Sequence, residues 1–73
     1  MKKADLVKLG NNIRAERNRL NYTQEDLGNI TGILPQHIGR IEKGEIDIRF
    51  STLVSLMAAL QIPFDKLYDL KDF

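Results

Sequence analysis

Thr23-Gln24-Glu25-Asp26-Leu27-Gly28-Asn29-Ile30-Thr31-Gly32-Ile33-Leu34-Pro35-Gln36-His37-Ile38-Gly39-Arg40-Ile41-Glu42-Lys43-Gly44 is the stretch that decides how this chain folds. It reads as two short helices broken at one glycine. The first is expected from Gln24 to about Thr31, capped by Thr23, with Asp26 three residues on to complete a box-like cap. Gly32 makes the turn. The second helix is expected from Pro35 to about Lys43 and stops at Gly44, a glycine in the C′ position. Leu34 precedes it where a cap should stand; its side chain accepts no N–H, which costs on the order of 1 kcal/mol against Ser or Thr. Leu27, Gly28, Ile33, Ile38 and Ile41 fall where two helices crossing near a right angle must touch.

The outer face of the second helix carries Gln36, Gly39, Arg40 and Lys43 at spacing i, i+3, i+4, i+7. It has no apolar residue to bury and no ligand set for a metal. Its side chains hydrogen-bond base edges and phosphates. This is the layout of a helix-turn-helix, whose second helix enters the major groove of double-stranded DNA. The alternative for Gln36 and Arg40 is an ordinary solvated helix face, and for Lys43 and Arg49 a free surface charge rather than a phosphate contact. His37 is the only histidine, placed at the helix edge near a phosphate; it cannot build a multi-histidine metal site.

Outward from this stretch the helical pattern continues. Leu6, Leu9, Ile13, Arg17 and Leu20 form a stripe on a first helix over about residues 4–20. Glu45-Ile46-Asp47-Ile48-Arg49-Phe50 reads as a connecting loop packed on the core. A fourth helix is expected from a Ser51 cap to Leu60, with Leu53, Leu56, Met57 and Leu60 inside. A fifth starts near Pro63 or Phe64, with Leu67, Tyr68 and Leu70 apolar. The expectation is an all-α domain of five helices spanning residues 1–73.

At 73 residues the chain is one domain, and chains near this size bury only about 60% of their unfolded surface. There is no cysteine, hence no disulfide framework or thiolate metal site. The apolar runs fall far short of the roughly 20 residues of a membrane helix, and Met1-Lys2-Lys3-Ala4-Asp5-Leu6 lacks the apolar region of a signal peptide. A cytoplasmic protein is the default. Net charge is +1, with +2 on residues 1–49 and −1 on residues 50–73. That balance does not announce a nucleic-acid binder, and tight binding to DNA then calls for a dimer to double the phosphate contacts. Catalysis fails on inventory. Ser51 or Ser55 with His37 and an acid has no supporting motif. The glycines at 10, 28, 32, 39 and 44 match neither phosphate-loop pattern. No cofactor is expected.

Leu9-Gly10-Asn11-Asn12-Ile13-Arg14, Thr23-Gln24-Glu25-Asp26-Leu27, Thr31-Gly32-Ile33, Ile38-Gly39-Arg40-Ile41-Glu42-Lys43-Gly44 and Ser51-Thr52-Leu53 leading to Ala59-Leu60 carry a resemblance. The chain resembles the Cro and phage-repressor family of helix-turn-helix proteins, the Xre-like or lambda-repressor-like group, from about Leu9 to Tyr68. The resemblance implies a sequence-specific transcriptional regulator of bacterial or phage origin. It implies that Gln24, beside the Thr23 cap, bonds a DNA phosphate; that Gln36 and Arg40 reach base edges; and that Arg17 and Glu42 form a salt bridge between the first and third helices. The chain departs from the family at Pro35, whose ring replaces a polar residue and suits a thymine methyl. It departs at Leu34, and at Gly39, which allows close approach of the backbone to DNA. The loop over residues 45–50 is about one residue longer than the family pattern.

A regulator of this kind is expected to be a homodimer reading a palindrome, acting as a repressor. Phe64, Leu67, Tyr68, Leu70 and Phe73, with Met57 or Leu60, are the expected dimer surface; closing the core is the alternative use of the same residues. No ligand-binding domain is attached, so a small-molecule inducer is not expected. The resemblance leaves open a controller of a restriction-modification operon, or an antitoxin that binds a toxin protein.

Overall fold

The computed structural model describes residues 1–69. Five helices follow in order: α1 (Lys3–Arg19), α2 (Gln24–Thr31), α3 (Pro35–Glu42), α4 (Phe50–Leu60) and α5 (Phe64–Leu67). There is no strand among the described residues. The expected all-α, five-helix fold is the observed one.

Local chemistry sets the boundaries. The Thr23 hydroxyl accepts from the Asp26 N–H at 3.0 Å, and the Asp26 carboxylate accepts from the Thr23 N–H at 2.9 Å. This reciprocal cap fixes the start of α2, and the Asp26 carboxylate, bonded first by the Thr23 N–H and then by the Thr23 hydroxyl, has its pKa held below the ordinary value. Gly32 ends α2 with φ 78°, a left-handed turn open to glycine at little cost. Pro35 then starts α3 behind an extended Leu34 whose side chain caps nothing.

The core is one cluster: Leu9 and Ile13 of α1, Leu27 of α2, Ile38 and Ile41 of α3, Leu53, Leu56 and Leu60 of α4, and Leu67 with Tyr68. The helix-turn-helix pair sits on α1 at very short range. A Cβ on Gly10 would lie 2.6 Å from the Glu42 carbonyl oxygen and against that of Ile41, so only glycine lets α1 and α3 pack this closely.

Two expectations give way here. Helix α4 starts at Phe50, with Arg49 at its cap, rather than after a Ser51 cap. Phe50 does not pack on the core; it is 78% exposed, while Ile46 and Ile48 of the preceding loop pack against the core. The dimer surface expected on the last helix is also altered. Leu67 and Tyr68 are 0% and 1% exposed, because α5 is a single turn folded back onto α1. Its Leu67 carbonyl accepts from Asn12 Nδ2 at 2.7 Å, Tyr68 Oη donates to Asp5 Oδ1 at 2.8 Å, and Lys8 Nζ lies 5.7 Å from the Tyr68 ring centroid. These two side chains close the core, as Leu60 does, and cannot meet a second chain. Phe64 packs against the same core; Leu70 and Phe73 lie outside the described residues.

Candidate nucleic-acid interface

Helix α3 presents Gln36, His37 and Arg40 to solvent, with Lys43 exposed at its C-cap, while Ile38, Ile41 and Glu42 face inward. What holds the helix at its angle is a buried polar cluster beneath that face. Arg17 grips Glu42 at two points, Nε to Oε2 at 2.7 Å and Nη2 to Oε1 at 3.1 Å, and Arg17 Nη1 donates to the Tyr22 carbonyl at 2.8 Å. The expected bridge between α1 and α3 is therefore present and buried. A two-point pair of this kind fixes orientation as well as distance. Glu42 in turn raises the Arg17 pKa, chiefly through the hydrogen bond.

Gln24 enters the same cluster. Its Nε2 donates to Glu42 Oε1 at 3.1 Å, and its amide lies over Gly39, with Oε1 3.3 Å from where a Cβ would stand. The side chain expected on a phosphate is thus half-buried and engaged inside the protein. Gly39 makes room for it, so the close approach seen at this glycine is to Gln24. Pro35 is likewise turned partly inward, its Cγ 3.3 Å from a Cβ built on Gly28. It is half-buried, so its ring helps lock α2 to α3.

The residues left open to a ligand are Gln36, Arg40 and Lys43, with Thr23, His37 and Arg49 also exposed. Arg40 Nε lies 3.7 Å from Glu45 Oε2, a loose, exposed pair of little energetic weight. A groove of about 220 Å³ runs between α1, α2 and α3, lined by Arg14, Arg17, Gln24, Gly39, Glu42 and Lys43. Glu42 is neutralised by Arg17, so the exposed cations Arg14 and Lys43 set its sign, which suits a phosphate oxygen. Arg14 was missed in the sequence. It lies off the apolar stripe of α1, and only the crossing of α1 behind α3 brings it beside Lys43.

A family model described as helix-turn-helix matches residues 13–67. The chain belongs to this family. Control protein C.SmaI of Serratia marcescens is 39% identical over 59 residues, covering 81% of this chain and 70% of that protein. The crystal structure of the restriction-modification controller protein C.AhdI from Aeromonas hydrophila superposes with a TM-score of 0.85 at 31% identity, over 89% of this chain and 98% of that one. This helix-turn-helix protein is a DNA-binding transcriptional regulator and not an enzyme. Its described residues hold no group of three or more His, Cys, Asp or Glu side chains placed for a metal ion, and no helix long and apolar enough to cross a membrane.

Proposed function

We propose that this helix-turn-helix protein is a controller of a restriction-modification gene set, acting in the cytoplasm as a dimer on a palindromic operator. The observation that carries the reading is that two relatives spanning most of the chain are both named as controllers. In this reading Gln36 and Arg40 contact base edges, Gln pairing in two-point fashion with adenine and Arg with guanine. Lys43, His37, Arg49 and Thr23 contact phosphates, joined by Arg14, and Gln24 positions Glu42 rather than touching DNA first. Two recognition helices about 34 Å apart on one face of the duplex read the two half-sites. Occupancy of a promoter that polymerase needs makes the protein a repressor.

The test is selection of bound fragments from the source genome by the purified protein, followed by sequencing. Enrichment of a palindrome beside a methyltransferase or restriction gene supports the reading. Enrichment beside a toxin gene assigns the protein to that operon instead. Weak, salt-sensitive binding with no enriched site overturns it.

A further inference from the structure

Beyond the end of α3 stands an acid that the reading face does not explain. Glu45 is exposed just past the Lys43 cap, and its Oε2 lies 3.7 Å from Arg40 Nε. A carboxylate on the face that meets DNA repels the phosphates, so its place there calls for a cause. The backbone fixes where it stands. Helix α3 ends in a Schellman motif, with the Gly44 N–H donating to the Ile41 carbonyl and the Glu45 N–H to the Arg40 carbonyl, both at 3.0 Å. Gly44 makes this turn at φ 70°, a conformation open to glycine at little cost. The turn is also fastened to α1. Lys3 Nζ donates to the Gly44 carbonyl at 2.6 Å, and a Cβ on Gly44 would collide with Val7. Glu45 is thus anchored through its own N–H to the residue whose side chain it faces, and among the described residues Arg40 is its one ion-pair partner.

We infer that Glu45 is a positioning residue for Arg40, holding the guanidinium by its Nε edge and pointing the Nη1 and Nη2 end at a guanine. This rests on the reading that Arg40 contacts a base edge, and it adds an acid to the residues that decide which sequence is read.

The geometry suits that division of the guanidinium. Its closest approach to the carboxylate is at Nε, and Nη1 and Nη2 make no hydrogen bond within the described residues. The free end offers a planar pair of N–H donors, the arrangement that matches O6 and N7 of guanine. In the free protein the two side chains are 58% and 45% exposed, so water weakens their attraction. On DNA the pair counts for more. A flexible arginine gives up rotamer freedom to make one fixed contact, and a partner already beside it lessens that loss. Docking also excludes water, and the attraction between the charges grows as the effective dielectric falls. The same carboxylate acts against the wrong sequence. Where no guanine meets the free end, Arg40 stays with Glu45, and the acid brings repulsion from the phosphates without a base contact to offset it. Glu45 therefore widens the gap between operator and unrelated DNA rather than raising affinity for all DNA.

A double-mutant cycle on the enriched operator tests this, read by fluorescence anisotropy of labelled duplexes at fixed salt. The native chain, Glu45→Ala, Arg40→Ala and the double variant are each titrated with the operator, with unrelated DNA, and with duplexes in which each base pair of the half-site is changed in turn. Arg40→Ala marks its own base pair as the position where discrimination is lost. At that position Glu45→Ala should cut the native discrimination by ~3- to 10-fold, within the range of coupling between residues in contact. Unrelated DNA should bind as tightly as before or more tightly. In the Arg40→Ala background the same change should leave discrimination where it was. Equal weakening of every duplex by Glu45→Ala would make the residue a structural end to α3. Equal strengthening of every duplex would make it a bare charge. A loss at another base pair that persists without Arg40 would make Glu45 a base reader itself. Each of these overturns the inference and leaves Arg40 on its base. If Arg40→Ala changes discrimination at no position, the base-contact reading falls and the inference falls with it.

Discussion

Replacing Glu42 with alanine should destabilise the domain by about 3 kcal/mol. Its side chain is 3% exposed and that of Arg17 10%. The truncation removes both hydrogen bonds to Arg17 and the one from Gln24, leaving the guanidinium with the Tyr22 carbonyl as its remaining protein partner. Breaking a buried pair from one side costs ~3–5 kcal/mol, because a charge stays behind without its counterpart. The lower end applies in a domain whose extents are 31 × 21 × 20 Å, where water is never far from the guanidinium. A 73-residue domain has roughly 4–11 kcal/mol of total stability, so the loss takes a large share of it. With a urea dependence of about 1 kcal/mol/M, the midpoint falls by about 3 M. The double change Arg17→Met/Glu42→Leu removes both charges and fills the space, and should return to within ~1 kcal/mol of the native chain. Urea titration followed by circular dichroism measures all three proteins. A loss below ~1 kcal/mol for Glu42→Ala, or a double variant no more stable than the single one, would show that the pair is solvated and does not set the angle of α3.

Arg40→Ala should weaken binding to the selected operator by ~5- to 150-fold, the equivalent of one two-point base contact, with helical content unchanged; equal affinity in a fluorescence titration would remove Arg40 from the bases. Lys43→Ala should weaken all DNA alike and make the salt dependence shallower by about one unit in log–log slope, and an unchanged slope would place it off the phosphates. Gly10→Ala should cost up to about 3 kcal/mol, because α1 and α3 must move apart to admit the methyl group; a melting temperature within ~2 °C of native would contradict the close approach. The Asp26 carboxyl has its pKa lowered by folding, so its stabilising effect is present above the ordinary carboxylate pKa of about 3.9 and is lost as pH falls through the lower folded value. Asp26→Asn should therefore lose less stability than the native chain between about pH 5 and pH 2; parallel acid limbs would deny the cap its charge.

Elements whose causes are local could be read directly. The Thr23 and Asp26 cap, the Gly32 turn and the Pro35 start each depend on chemistry within a few residues, and each lies where its residue type places it. The start of α4 was missed because Arg49 occupies the cap with an extended backbone and no side-chain hydrogen bond, leaving Ser51 as the only visible signal. Phe50 was assigned inward because an apolar residue beside a helix start carries no mark of its direction. Leu67 and Tyr68 were assigned outward for a related reason. Their partners on α1, Asn12 and Asp5, are 55 and 63 residues away, and no periodicity in a one-turn helix reports such a contact. The site divides in the same way. The outward spacing of Gln36, Arg40 and Lys43 was visible, whereas the inward engagement of Gln24 depends on where Glu42 lands after α3 docks on α1.

That inward engagement bears on how the reading face can change. Gln36 and Lys43 are exposed and add little to the packing beneath them, and the Arg40 pair with Glu45 is loose, so substitutions there alter base or phosphate contacts at small cost in stability. Gly39 is different. In a helix interior, alanine would ordinarily gain up to about 1 kcal/mol over glycine. Here the added Cβ comes within 3.3 Å of Gln24 Oε1, and the Gln24 amide that must give way is also bound to Glu42. Glu42 is the residue that Arg17 uses to hold α3. A side chain at position 39 therefore reaches the orientation of the whole helix through two side-chain contacts. A longer one would meet the Gln24 amide first, which must shift by a few tenths of an ångström to admit it, while the two-point grip of Arg17 on Glu42 is made without Gln24. Among positions 36, 39, 40 and 43 along α3 and its cap, position 39 is the one that lies against Gln24 and so links the reading face to the packing beneath it.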